Sequence, residues 1–74
     1  PLGLNRIELR ILNVLAEEKA TRLTKLSAKI GLSKACLQRD YEMYLQKMSL
    51  IEINPEGRSV TSVGQSYLKE LVLS

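Results

Sequence analysis

The sequence predicts a mainly α-helical domain that carries one small β-hairpin. Three observations predict it. Apolar residues recur at helical spacing in four stretches, the spacing changes to strict alternation at "LIEIN" (Leu50 to Asn54), and the turn signal "PEG" (Pro55 to Gly57) follows directly. With 74 residues, 45 % of them apolar, the chain is expected to form one domain around one modest core. Its stability should sit near the low end of the usual range, about 5 kcal/mol.

Asn5 opens the first helix as a cap, and Glu8 three residues on completes an N-x-x-E capping box. Ile7, Ile11, Val14 and Leu15 form the buried stripe, Leu9 and Leu12 widen it, and the pattern stops near Glu18 to Ala20. "TRLT", Thr21 to Thr24, reads as a brief extended segment, with Thr24 capping a second helix that contains Leu26, Ala28 and Ile30. Gly31 ends that helix, Leu32 plugs the turn and Ser33 caps the next one. The third helix is expected from about Lys34 to Met48. Leu37, Tyr41, Tyr44, Leu45 and Met48 point inward; Lys34, Ala35, Gln38, Arg39 and Glu42 point outward; Ser49 stands where glycine would often close the helix. Ile51 to Asn54 and Arg58 to Thr61 pair as the hairpin. Thr61 or Ser62 then caps a last helix whose inner face is Val63, Tyr67, Leu68, Leu71 and Val72. Two helices joined by a glycine turn and followed by a hairpin make a winged helix-turn-helix: a three-helix core, a wing and a C-terminal helix. Residues 4–74 are the domain, and Pro1 to Gly3 are compatible with the scar of an expression tag.

Charge is distributed unevenly. From Lys19 to Arg39 there are six cations (Lys19, Arg22, Lys25, Lys29, Lys34 and Arg39) and no carboxylate; all eight acids lie outside that window. The chain has no histidine and one cysteine, Cys36, and its two turn glycines, Gly31 and Gly57, are isolated. No catalytic constellation, phosphate-cradling loop or metal-ligand cluster arises from this, so neither enzymatic activity nor a cofactor is expected. Cys36 reads as a small apolar filler and cannot form an internal disulfide, which favours a reducing, cytoplasmic setting. No apolar run approaches the length of a membrane span.

A polyanion explains the charge best. A helix fits the major groove of DNA, and in a helix-turn-helix the start of the second helix meets base edges. The expected DNA contacts are Ser33, Lys34, Gln38 and Arg39 at that start, Lys25 and Lys29 on flanking phosphates, and Arg58 from the wing beside a repelling Glu56. A solvated polar face is the bland alternative, which a window without acids argues against. Tyr41 and Tyr44 share the spacing of Leu37 and Leu45, so they read as core and not as base-stacking platforms.

"DYEMYL", Asp40 to Leu45, and "NPEGRSVT", Asn54 to Thr61, resemble the C-terminal winged-helix domain of the RuvB family of Holliday-junction branch-migration motors. Tyr41, Glu42, Tyr44, Leu45, Pro55, Gly57, Arg58 and Thr61 match the family pattern, and Gly3 and Leu4 look like its lead-in to helix one. Met43 stands where the family has proline, and Glu56 where it has a wing arginine. The resemblance implies a DNA-binding part of a larger recombination and repair protein, acting on duplex or branched DNA in a prokaryotic, nucleoid-associated setting, joined to the rest of its chain or to an oligomer. "KIGLSKACLQRD" and "GRSVTSVGQSYL" are also similar to prokaryotic transcriptional regulators, which gives a second reading. A winged helix that binds another protein, through an edge of Glu42, Glu52 and Glu56, is the reading of a different class.

Overall fold

The structure, a computed structural model, describes residues 5–73, with side chains described over 5–70. The lead-in expected at Gly3 and Leu4, the tag remnant expected at 1–3 and the inward face expected of Leu71 and Val72 fall on residues outside those side chains. Helices α1 (Arg6–Glu17) and α2 (Leu23–Ile30) come first. The third helix runs on without a break in three segments: α3 (Lys34–Cys36), a π-helical segment (Leu37–Glu42) and α4 (Met43–Lys47). Strands β1 (Ile51–Asn54) and β2 (Gly57–Val60) form the wing, and α5 (Ser62–Leu73) closes the chain.

The capping box of α1 forms as expected: Glu8 N–H donates to Asn5 Oδ1 at 2.9 Å, and Asn5 N–H to Glu8 Oε1 at 2.8 Å. The core is Ile11, Leu12 and Leu15 of α1, Leu26 of α2, Leu37 and Leu45 of the third helix, then Leu50 and Ile51 entering the wing. One cluster therefore ties every helix before the wing to the wing's base.

Four local expectations give way to tertiary packing. Thr24 lies inside α2 and does not cap it. Arg22 holds the cap position, with extended dihedrals of −70° and 152°, because Thr21 is pinned to the wing: Thr21 N–H donates to Arg58 O at 2.9 Å and Arg58 N–H to Thr21 O at 2.8 Å. The extended segment therefore ends at one bridge residue and the helix begins at once. Val63 is 52 % exposed, because Thr61 caps α5 (Gly64 N–H to Thr61 Oγ1, 3.1 Å) and so turns Gly64, Tyr67 and Leu68 inward. Gly64 sits so close to the preceding segment that a Cβ there would lie 2.4 Å from the Leu50 carbonyl oxygen. Tyr44 is 39 % exposed and Glu42 is buried, the reverse of the α-helical reading. The π-helical segment is the cause. Its wider turn places Glu42, five residues after Leu37, on the inner face.

The wing is antiparallel, with Ile51 opposite Val60, Glu52 opposite Ser59, Ile53 opposite Arg58 and Asn54 opposite Gly57. Its two-residue loop is braced by Glu56 N–H donating to Asn54 Oδ1 at 3.0 Å, an Asx turn. Ser49 ends the third helix at a left-handed φ of 62°. A Cβ in that region is disfavoured, so Ser49→Gly is expected to stabilise the domain by about 0.5–1 kcal/mol, read as a higher denaturant midpoint at unchanged m.

Candidate nucleic-acid interface

The turn before the third helix decides what that helix presents. Gly31 adopts a φ of 84° and its N–H donates to Ser27 O at 2.8 Å, which closes α2. The Ser27 hydroxyl donates to Leu32 O, and Leu32 packs against the core. Ser33 then accepts from Cys36 N–H at 3.2 Å and starts the helix. The first two turns leave Ser33, Lys34, Ala35, Gln38 and Arg39 exposed on one side while Leu37 is fully buried on the other.

Three of the six window cations are paired with acids. Among the described residues Lys19, Arg22 and Lys34 have no ion-pair partner, whereas Lys25 pairs with Glu18, Lys29 with Glu17 at 3.9 Å and Arg39 with Asp40 at 3.0 Å. Acids that flank the window in sequence thus return to it in space. Lys29 also lines a shallow groove beside α1 with Arg6, Leu9, Arg10, Asn13 and Glu17, and Arg10 Nη2 donates to Lys29 O at 3.0 Å. Lys25 and Lys29 consequently face the C-terminal half of α1, and Lys34, Gln38 and Arg39 carry the start of the third helix. The pairs are solvent-exposed, and such pairs exchange partners readily, so a phosphate can compete for Lys25 or Arg39.

Arg58 is not at the wing tip. Its guanidinium turns back toward the third helix, where Nε donates to Glu42 Oε2 at 2.7 Å and Nη2 to Glu42 Oε1 at 3.3 Å. The side chains are 14 % and 3 % exposed. This two-point grip leaves Arg58 facing the fold, contrary to the expectation of a wing cation open to DNA. The tip instead exposes Pro55 and Glu56. Spacing alone gave Glu42 an outer position; the available signal was the family resemblance, in which both members of the pair match.

Cys36 and Asp40 form a second small unit on the exposed side. Cys36 Sγ lies 3.4 Å from Asp40 Oδ2, and this thiol–carboxylate hydrogen bond pushes the thiol above its ordinary range. The guanidinium of Arg39, and then the same thiol, hold the Asp40 carboxyl below the usual carboxylate range. Asp40→Asn is expected to bring the Cys36 thiol back down and to speed its alkylation near pH 8 about threefold, followed by mass spectrometry.

Among the described residues no helix is long and apolar enough to cross a membrane, and no group of three or more His, Cys, Asp or Glu could hold a metal ion. A helical core, a helix-turn-helix with an exposed polar start and a hairpin pinned behind it define a winged-helix domain. Residues 1–69 match the RuvB C-terminal winged helix domain, and the chain belongs to that family. It is similar to the Thermotoga maritima RuvB Holliday junction branch migration motor at 28 % identity and a TM-score of 0.85, over 90 % of this chain and 24 % of that one. A single-site mutant of the same motor gives a TM-score of 0.86 at 28 % identity, over 90 % of this chain and 23 % of that one. The chain thus spans about a quarter of the length of the RuvB proteins it resembles. The transcriptional regulator MosR of M. tuberculosis, solved in complex with DNA, shares the fold at 22 % identity and a TM-score of 0.83, over 95 % of this chain and 57 % of that one.

Proposed function

We propose that this domain binds duplex or branched DNA on behalf of a larger RuvB-like recombination and repair protein. The observation that carries the reading is the exposed start of the third helix, with Lys34, Gln38 and Arg39 on one side, in a member of the RuvB winged-helix family. Lys34 and Arg39 supply charge to phosphate or guanine, Gln38 a bidentate amide for adenine, and Ser33 fixes the helix start. Lys25 and Lys29 can reach flanking phosphates only by leaving Glu18 and Glu17. About three phosphate contacts result, for a slope of log K against log salt near −3 and a weak affinity of about 10⁻⁴ to 10⁻⁶ M. ATP-driven movement would belong to the parts of a parent protein that this chain does not span. The setting would be prokaryotic, cytoplasmic and nucleoid-associated.

Fluorescence anisotropy against duplex and four-way junction at low salt tests this. Lys34→Glu with Arg39→Glu should weaken binding about tenfold to a hundredfold while leaving the thermal melt nearly unchanged. Equal affinity of the variant and the parent sequence would remove the third helix from the interface. Site selection returning a strong palindrome would favour a transcriptional regulator, the fold shared with MosR. An absence of DNA binding would favour a protein-interaction module, for which the exposed Met43, Ile53 and Val63 offer apolar contact.

A further inference from the structure

The third helix can be written in two registers, and the ion pair selects one. As a continuous α-helix, Glu42 would stand four residues after Gln38 and three after Arg39, on the same face as both. That would put a carboxylate in the middle of the surface that carries Lys34, Gln38 and Arg39. The π-helical segment Leu37–Glu42 removes it: one extra residue in the turn rotates the remainder of the helix by about 100° and brings Glu42 inside. No proline lies between Lys34 and Lys47, so a missing amide does not force the widening. What Glu42 meets inside is Arg58, at 2.7 Å and 3.3 Å, on the strand that Thr21 also holds.

We propose that Arg58 serves the DNA-binding face from behind: by gripping Glu42 at the π turn, it keeps a carboxylate off the surface of Lys34, Gln38 and Arg39. Arg58 is then a positioning residue and makes no phosphate contact itself. The DNA part of this inference rests on the function proposed above; the withdrawal of Glu42 does not. An alternative register is available to the sequence, since Tyr44, now partly exposed, would turn inward as Glu42 turned out.

Two variants of the full chain separate the roles. Glu42→Leu with Arg58→Met replaces the pair by apolar groups of similar volume and should fold, since such replacements of buried pairs are often neutral or stabilising. Its duplex affinity should stay within about twofold of the starting protein and its salt slope should not change. A slope less steep by about 0.9, with weaker binding, would make Arg58 a phosphate ligand and overturn the proposal. Arg58→Met alone, studied in sucrose to favour the folded state, should bind about tenfold more weakly, because Glu42 returns to the face.

A readout without DNA runs alongside. Through-hydrogen-bond NMR couplings should join the residue 42 amide to the Leu37 carbonyl, five residues back, in the starting protein and in the double variant. In Arg58→Met the amide should couple to the Gln38 carbonyl instead. A five-residue coupling that persists in the single variant refutes the withdrawal of Glu42. If the starting protein has no duplex affinity, the function proposed above fails, and these couplings still judge the grip. If Arg58→Met does not fold even in sucrose, the affinity and slope of the double variant decide.

Discussion

Arg58→Met is expected to remove more than half of the domain's stability, while most molecules stay folded in dilute buffer at 25 °C. The substitution takes the partner from the Glu42 carboxylate, 3 % exposed, which must then stay buried alone or leave its place for the outer face and give up the packing around it. Removing one member of a buried pair costs about 3–5 kcal/mol, and the residual exposure of Arg58 argues for the lower part of that range. Against a total near 5 kcal/mol, the loss consumes most of the stability. Guanidinium titrations followed by far-UV circular dichroism should show the midpoint falling by more than half. Replacing Glu42 by Leu in the same chain should restore it. The two substitutions are therefore strongly non-additive, with a coupling energy of about 3 kcal/mol or more. A single variant that melts with the starting protein would mean that water already solvates the pair.

Gly57→Ala is the second large effect. Gly57 has a φ of 137°, a conformation L side chains rarely adopt, and a Cβ there would lie 2.7 Å from both the carbonyl carbon and the oxygen of Thr21 and 3.0 Å from Arg22 N. All three are backbone atoms, so no side-chain rotation relieves the clash. Backbone strain and overpacking together cost about 2–6 kcal/mol. The melting temperature should fall by more than about 10 °C, given the 4–8 °C per kcal/mol typical of a domain this small. The Thr21–Arg58 hydrogen bonds should be lost with it, seen as faster amide exchange at both residues. An unchanged melt would show that the loop before α2 can move away at little cost.

Most of the architecture was legible because its signals are local. The Asn5–Glu8 box, the glycine turn at Gly31, the Ser33 cap, the strand at Ile51–Asn54 and the Thr61 cap each involve neighbours in sequence, and each forms, although Ile53 of that strand is exposed. The misreadings come from interactions across the chain. Thr24 lost its capping role because Thr21 pairs with a residue of the wing. Glu42 and Tyr44 exchanged sides because a four-residue repeat cannot encode a five-residue turn, and only Arg58 makes the wide turn favourable for an acid. The site was legible in part for the same reason. Lys34, Gln38 and Arg39 fall on one face by spacing alone. Glu17, Glu18 and Asp40 flank a window that looked free of acids, and the fold brings them back against Lys29, Lys25 and Arg39. Linear charge counting sees composition; pairing depends on which helix ends meet.

The paired amides of Thr21 and Arg58 make the wing mechanically part of the first half of the chain. A hairpin hung only from the third helix could peel off while the helices stayed intact. This one is riveted near its loop end, at Arg58, to the link between α1 and α2 while its base enters the core, so detaching it exposes Leu50 and Ile51 and dismantles the core they complete. The domain should therefore open all at once: wing and helices share one melting event, and a load applied to the wing is borne directly by the helices behind it.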